Sequence, residues 1–342
     1  MVGEENPRRI GRRVYRLTAA LILAASLLAG WLWMDYREAV DTPLGLPAAA
    51  IFEIGKGDGL VAITRNLEAR GIIAHPLWFE VLVYTGGAHK RLKYGEYEIP
   101  PDATPRSLLD MFVAGRVIQH PITVVEGWTF SEMLASLDGN PVLAHQVAGK
   151  PAGELMALLG APGQPPEGRF FPDTYFVTKG TADIEVLKRA YGKMRAVLEK
   201  EWRERAGQVP FGSSYEALIL ASIVEKETAR PEERPEVAGV FVRRLGKGMK
   251  LQTDPTVIYG MGAAFAGNIR RDDLLRDTPY NTYTRPGLPP TPIALPGLSS
   301  IHAALHPNNG ASLYFVARGD GTHVFSATLE EHRRAVEQFQ KR

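Results

Sequence analysis

One carboxylate stands on the apolar side of a helical pattern in SSYEALILASIVEKETA, residues 213–229. At about 100° per residue, Ile219, Leu220, Ile223 and Val224 share a face. Glu227 follows Val224 by three positions and Ile223 by four, so it falls near the middle of that face. Glu225 projects to the opposite side and Lys226 to a flank. A carboxyl on an apolar surface is costly to ionise, and its pKa rises. If still protonated near neutral pH, it can donate to a leaving oxygen, as general-acid cleavage of a glycosidic bond requires. Thr228, Ala229 and Pro231 signal that the helix ends here. That leaves two readings open: Glu227 at a cleft rim, or Glu227 simply reaching solvent.

Other residues offer supporting chemistry. LQTDPTVIYGMG (residues 251–262) is a polar turn leading into an apolar run, with Asp254 expected extended or turning before Pro255. PYNTYTRPGLPPTPIALPG (residues 279–297) is a long loop whose five prolines after Arg285 limit its conformations. Its Asn281 and Tyr283 carry amide and phenol groups of the kind that bind sugar hydroxyls and stack on rings, or that serve loop packing. His302 and His306 are spaced i,i+4, but no H-E-x-x-H pattern surrounds them and Pro307 follows, so capping and packing explain them better than metal binding. GKGDGL (residues 55–60) lacks the last glycine of a dinucleotide loop and reads as a strand-to-helix turn. No G-x-S-x-G occurs, which leaves a serine-hydrolase elbow unsupported. The chain has no Cys, which excludes disulfides, thiol catalysis and Cys-bound metals.

Elements must position these groups. Ala50–Ile54 and Tyr94–Ile99 read as strands. Between them lie a helix capped by Asp58 and stopped by Gly71, and a second opened by Pro76. Thr104 and Pro105 start a further helix that ends at Gly115. Residues 118–125 read as a strand, Thr129 with Glu132 as a capping box, and residues 184–205 as an amphipathic helix. Ser213 with Glu216 forms a second box. Residues 313–317 and 323–326, joined by RGDGT, read as a hairpin.

The 342 residues are 45% hydrophobic and 23% charged, which is ordinary globular composition and allows about two domains. The net charge of +2 is uneven. Residues 1–34 hold five arginines and two glutamates, and the rest holds 35 basic against 36 acidic residues. No basic excess marks a nucleic-acid binder. Leu17–Met34 is uncharged and just long enough to span a bilayer, with Trp31, Trp33 and Tyr36 at the far interface. A cleaved signal peptide would have a shorter apolar run and small residues where the tryptophans stand. The expectation is an uncleaved anchor: cytoplasmic tail 1–16, transmembrane helix 17–36 and linker 37–47. By the positive-inside rule the remainder is exported.

From Leu220 onward, ASIVEKET, VFVRRLGKGMKLQTDPTVIYGMG, YNTYTRPGLPP, IALPG, HPN and LYFVARGDGTHVFS follow in order, with VVEGWTFSEM and EGRFFPDTYFV upstream. Together they resemble the endolytic murein transglycosylases, the YceG-like family. The resemblance implies an α+β chain: a LysM-like βααβ subdomain at 48–118, then a catalytic domain at 119–342. It implies a bacterium, and with it an inner membrane and a periplasmic catalytic domain. It implies a lyase that cuts peptidoglycan between MurNAc and GlcNAc inside glycan strands, leaving 1,6-anhydro ends and limiting strand length. It needs no cofactor and no metal. The second glutamate of E-K-E-T, Glu227, is the implied catalytic residue, and Glu225 is then structural or at the rim. Gln252, Thr253, Asp254, Asn281 and Tyr283 match family motifs and are expected to bind substrate. Asp254 and Asp173 are candidates for a second carboxylate should the reaction be hydrolytic. The alternatives to a lyase are a muramidase and a non-catalytic wall-binding scaffold. An anchored glycan cutter is expected beside peptidoglycan synthases, though no stretch of sequence names a partner surface.

Overall fold

The computed structural model describes residues 7–207 and 209–340, with side chains from residue 15 onward. Of the amino-terminal arginines, only the Arg16 side chain lies within this range; the tail residues 1–6 lie outside it. The chain divides into two compact units, Met1–Gln119 and His120–Arg342.

The first unit begins with α1 (Pro7–Asp41), whose Tyr15–Asp41 portion is long and apolar enough to cross a membrane. Its leucines, among them Leu21, Leu23 and Leu27, are exposed on all sides. The helix continues past Tyr36, so residues 37–41 are helical rather than linker. Val40 inserts into the unit's core, and Arg37 and Arg106 both pair with Asp41. Strand β1 (Ala50–Ile54) then leads through α2 (Leu60–Ala69) and α3 (Pro76–Thr85) to β2 (Gly95–Ile99), and α4 (Pro105–Ala114) follows. β1 and β2 pair antiparallel, with Phe52 opposite Tyr97. Their inward side chains, Phe52, Ile54, Tyr97 and Ile99, meet Ile63, Leu67, Phe79 and Phe112 in one apolar core. Asp58 does not cap α2. Its carboxylate accepts from the Gly55 N–H at 2.7 Å and closes the turn, and Gly59 takes the cap position. Thr104 caps α4 as the sequence suggests, and Gly115 ends it at φ 71°.

The second unit opens with β3 (His120–Thr123), α5 (Phe130–Asp138), α6 (Ala152–Leu158), β4 (Thr174–Val177) and α7 (Asp183–Arg203). β3 pairs antiparallel with β4, and the sheet packs with α5 to α7 around Met133, Phe170 and Leu187. The Thr129–Glu132 capping box forms in full. Then come α8 (Ser214–Glu227), α9 (Arg234–Gly246), α10 (Asp254–Met261), a 3-10 turn (Gly262–Ala264), α11 (Arg271–Leu275) and α12 (Leu298–Leu305). The hairpin β5 (Tyr314–Ala317) and β6 (His323–Ser326) and helix α13 (Leu329–Phe339) complete the unit.

Helix α8 is its centre. Ala217 to Val224 are buried without interruption, so the helix is enclosed on every side rather than along one stripe. Only half of its expected capping box forms: Ser213 accepts from the Glu216 N–H, while the Glu216 carboxylate takes the Gly212 N–H. Ser222, within the apolar run, donates to the Ile219 carbonyl and accepts from the Ile293 N–H at 3.0 Å. That bond ties the proline-rich loop 279–297 to the central helix.

Candidate active site

Glu227 is the last residue of α8. The helix cannot run on, because Thr228 turns to extended backbone and its hydroxyl accepts from the Arg230 N–H at 3.1 Å. The half-buried Glu227 side chain therefore leaves the core at a helix end and enters a cavity of about 530 Å³. Burial raises its pKa to about 7, the nearby Asp254 charge adds to the rise, and a hydrogen bond from Thr253 opposes it.

Segment 251–254 supplies that hydrogen bond. Gln252 sits at φ 51°, the single non-glycine residue in left-handed conformation among the described residues. Such a backbone costs on the order of 1–3 kcal/mol and persists only where its surroundings enforce it. Here Thr282 enforces it, with its carbonyl accepting from the Gln252 N–H and its hydroxyl from the Thr253 N–H at 3.1 Å. Thr256 donates to the Thr253 carbonyl at 2.7 Å. Thr253, 2% exposed, is thereby aimed so that its hydroxyl donates to Oε1 of Glu227.

Asp254 is not extended before its proline. It opens α10, where Pro255 fits in the first turn because its missing N–H is not needed there. Exposed at the same cavity, Asp254 accepts from the Tyr283 hydroxyl at 2.5 Å. Burial, and then this bond, raise the Tyr283 pKa.

Gln252, Thr253, Asp254 and Tyr283 thus share the cavity with Glu227, but Asn281 does not. It is 1% exposed, its amide N–H groups go to the carbonyls of Asp273, Leu274 and Arg276, and its Oδ1 accepts from the Tyr283 N–H. Its amide holds the loop, leaving nothing for a ligand. Asp173 is also elsewhere, paired with Lys193, which holds its carboxyl below the usual range. Glu225 is structural: its carboxylate meets Arg234 at 3.0 Å and accepts from the Gly297 N–H at 3.0 Å, with both side chains buried.

The opposite wall was not anticipated in the sequence. Arg244 of α9 is buried and donates to the Leu251 and Leu313 carbonyls, each at 2.7 Å. It joins the Thr253 segment to the hairpin and lies over the Tyr314 ring. His323 of β6 is held by Glu233 through its ring at 2.7 Å and its N–H at 3.0 Å. Burial alone would raise Glu233, but these bonds outweigh it and keep its carboxyl low. His332 of α13 also lines the cavity, its pKa lowered by burial and then by Arg244. Away from this cavity, the buried carboxyl of Glu167 is also raised by burial to about 7. It accepts from the Phe130 N–H and the Tyr259 hydroxyl beside a separate cavity of about 1070 Å³. His302 and His306 cluster with Glu201, to which the His302 ring is hydrogen-bonded at 2.8 Å, and the two imidazole rings stack face to face 4.1 Å apart. His306 also accounts for the carbonyl of Glu204.

Residues 52–338 match the model of the YceG-like family. The chain belongs to that family. It is 40% identical over 177 residues to an endolytic murein transglycosylase of Bacillus subtilis, covering 51% of this chain and 48% of the relative. It is 27% identical to an endolytic murein transglycosylase of Streptococcus pneumoniae, over 92% of this chain and 63% of the relative. The YceG-like chain thus spans about half to somewhat under two thirds of the length of these curated relatives. A crystal structure described as that of a yceG-like protein from Listeria monocytogenes superposes with a TM-score of 0.50 at 29% identity, covering 84% of this chain and 98% of that one. The EKET segment that ends α8 lies within the matched range of this YceG-like chain, as do all the cavity residues named above.

Proposed function

We propose that this chain is a membrane-anchored lytic transglycosylase cutting MurNAc–GlcNAc bonds inside peptidoglycan strands, with Glu227 as sole acid and base. The supporting observation is a carboxyl titrating at about 7 in a cavity, hydrogen-bonded on one oxygen by Thr253. Near neutral pH a substantial fraction of Glu227 is protonated, and Oε2 is the oxygen left to face substrate. Protonated Glu227 gives its proton to the glycosidic oxygen as the C1–O bond breaks. The carboxylate, now accepting the Thr253 hydroxyl, takes the proton of the MurNAc C6 hydroxyl as that oxygen closes on C1. Water is not consumed, the end left is 1,6-anhydro, and Glu227 returns to its starting state.

On this reading α1 is a single-pass anchor of the inner membrane with its amino terminus cytoplasmic, and the chain that follows α1 is periplasmic. The β1–α2–α3–β2 unit is a LysM-like module holding glycan. Cleavage of nascent strands beside peptidoglycan synthases would limit strand length. Hydrolysis is the second reading, favoured by one observation: the Asp254 carboxylate shares the cavity. Digestion of defined glycan strands followed by mass spectrometry decides. Ends lighter by one water support the lyase. Reducing ends containing solvent oxygen overturn it in favour of a muramidase, and unchanged strands leave only a binding role.

A further inference from the structure

Helix α3 carries an apolar surface that its own unit leaves uncovered. Leu77 is 75% exposed, Val81 39% and Tyr84 56%, and their i, i+4, i+7 spacing sets them on one side of the helix. Isolated exposed apolar residues are ordinary, but a row along one helix is not. The position of this row is set by α1. Trp78 donates its indole N–H to Asp35 at 2.7 Å, and its ring meets Tyr36 edge-on at 5.6 Å. Trp33 in turn lies 5.9 Å from Tyr36. These contacts fall where the candidate span ends.

The direction of α3 follows from its neighbours. Ile72 to His75, just before it, share a cavity with Glu38, Ala39 and Thr42 of α1 and the turn after it. Val81 and Thr85, later in α3, line a different cavity with Ala29, Leu32 and Trp33. The helix therefore runs back down α1, from the level of Thr42 toward that of Ala29. Six residues of helix, from Asp35 to Ala29, correspond to about 9 Å of rise. The segment after α3, from His89 to Lys93, exposes His89, Lys90, Arg91 and Lys93.

We propose that α3 descends beside α1 into the outer part of the membrane that α1 enters, with a lipid bilayer as the occupant of its exposed side. The inference rests on the reading of α1 as a membrane span. Leu77 sits beside Trp78 at headgroup level, and Val81 and Tyr84, one to two turns further down α1, sit among the upper acyl carbons, at the depth of about 5–10 Å typical of interfacial helices. The cavity of about 1020 Å³ between α1 and α3 is apolar at its Ala29, Leu32 and Val81 end, which takes acyl chain, and charged at its Arg37, Asp41 and Arg106 end, which stays at headgroup level. Tyr36 and Trp78 lie at headgroup level, where amphipathic rings settle. Lys90 and Arg91 meet anionic headgroups, each such contact being favourable near a charged surface. The amino-terminal unit is then moored at two places and cannot swing about α1.

The absence of cysteine makes the test direct. Single cysteines at Leu23, Leu77 and Val81 carry a fluorophore in the full chain, reconstituted in vesicles with bromine-labelled acyl chains and anionic lipid. Quenching that rises from Leu77 to Val81, with Val81 within about twofold of Leu23, is expected for a helix entering the interface. Strong quenching at Leu23 with none at Leu77 and Val81 overturns the inference and leaves the anchor intact. No quenching at any of the three overturns the anchor itself. Replacing Lys90 and Arg91 by Glu is expected to reduce quenching at Val81 in anionic vesicles but not in zwitterionic ones. Equal loss in both would remove the headgroup contact from the proposal.

Discussion

Thr253 gives its hydroxyl hydrogen to Oε1 of Glu227, across 26 residues of chain, from a backbone turned by a left-handed glutamine. The bond stabilises the carboxylate and opposes the burial that raises it. Asp254, one residue on, acts in the other sense through its charge. Adjacent residues of one segment therefore move the same acid in opposite directions.

That opposition predicts two shifts in the pH dependence of cleavage. Activity needs protonated Glu227, so its pKa sets the alkaline limb of kcat/KM, near pH 7. In Thr253→Val the carboxylate loses a donor, and the limb moves to higher pH. In Asp254→Asn a repelling charge is gone, and the limb moves to lower pH. Thr253→Ser restores the wild-type profile. Rate profiles on defined strands read all three, and a shift in the same direction for both replacements would refute the electrostatic account.

Glu227→Gln should lower turnover by about 10²–10⁴, the usual worth of a general acid. It should also change stability with a definite sign. The Glu227 pKa is about 7 folded against 4.5 ordinarily, so the native state holds that proton more tightly. The resulting stabilisation is fully present below pH about 4.5 and is lost as pH rises through about 7. The variant has no such dependence. Urea unfolding should therefore find it equal to wild type near pH 4 and more stable at pH 8, by at most about 3 kcal/mol.

Glu225→Ala should behave differently from its neighbour two residues on. It leaves Arg234, whose side chain is only 7% exposed, with the more distant Glu126 at 3.9 Å as its remaining carboxylate. Breaking a buried pair costs about 3–5 kcal/mol. The loss should appear as a lower denaturation midpoint, while the alkaline limb of the rate profile stays in place for the folded fraction.

Gly168→Ala tests the loop against the sheet layer. Gly168 has φ 77°, and a Cβ there would come 2.5 Å from the Pro292 ring. Backbone strain and overpacking together should cost about 2–4 kcal/mol, measured by thermal or urea unfolding.

Local signals carried much of this structure. Thr104, Thr129, Gly71 and Gly115 act where caps and stops were expected, because capping depends on neighbours three or four residues away. Glu227 was legible from the helical wheel, although α8 proved enclosed on every side and the wheel saw a single face. The periodicity of an amphipathic stripe cannot register a helix buried all round. Asn281 and Tyr283 looked equivalent in sequence, yet one amide is consumed by three carbonyls brought from 273 to 276. Arg244, Tyr314 and His323 lie within the quoted family motifs, but no local pattern marked them as cavity residues. They reach the cavity through contacts some 70 to 90 residues apart, which no local pattern encodes.

The place of Glu227 at the last position of α8 has one more effect. Backbone carbonyls at a helix carboxyl terminus sum to roughly half a negative charge, which disfavours another anion there. The helix dipole therefore acts on Glu227 in the same sense as its burial, toward the protonated acid. It does so through main-chain atoms that no substitution removes. The acid strength of this carboxyl is in part a property of where the helix stops.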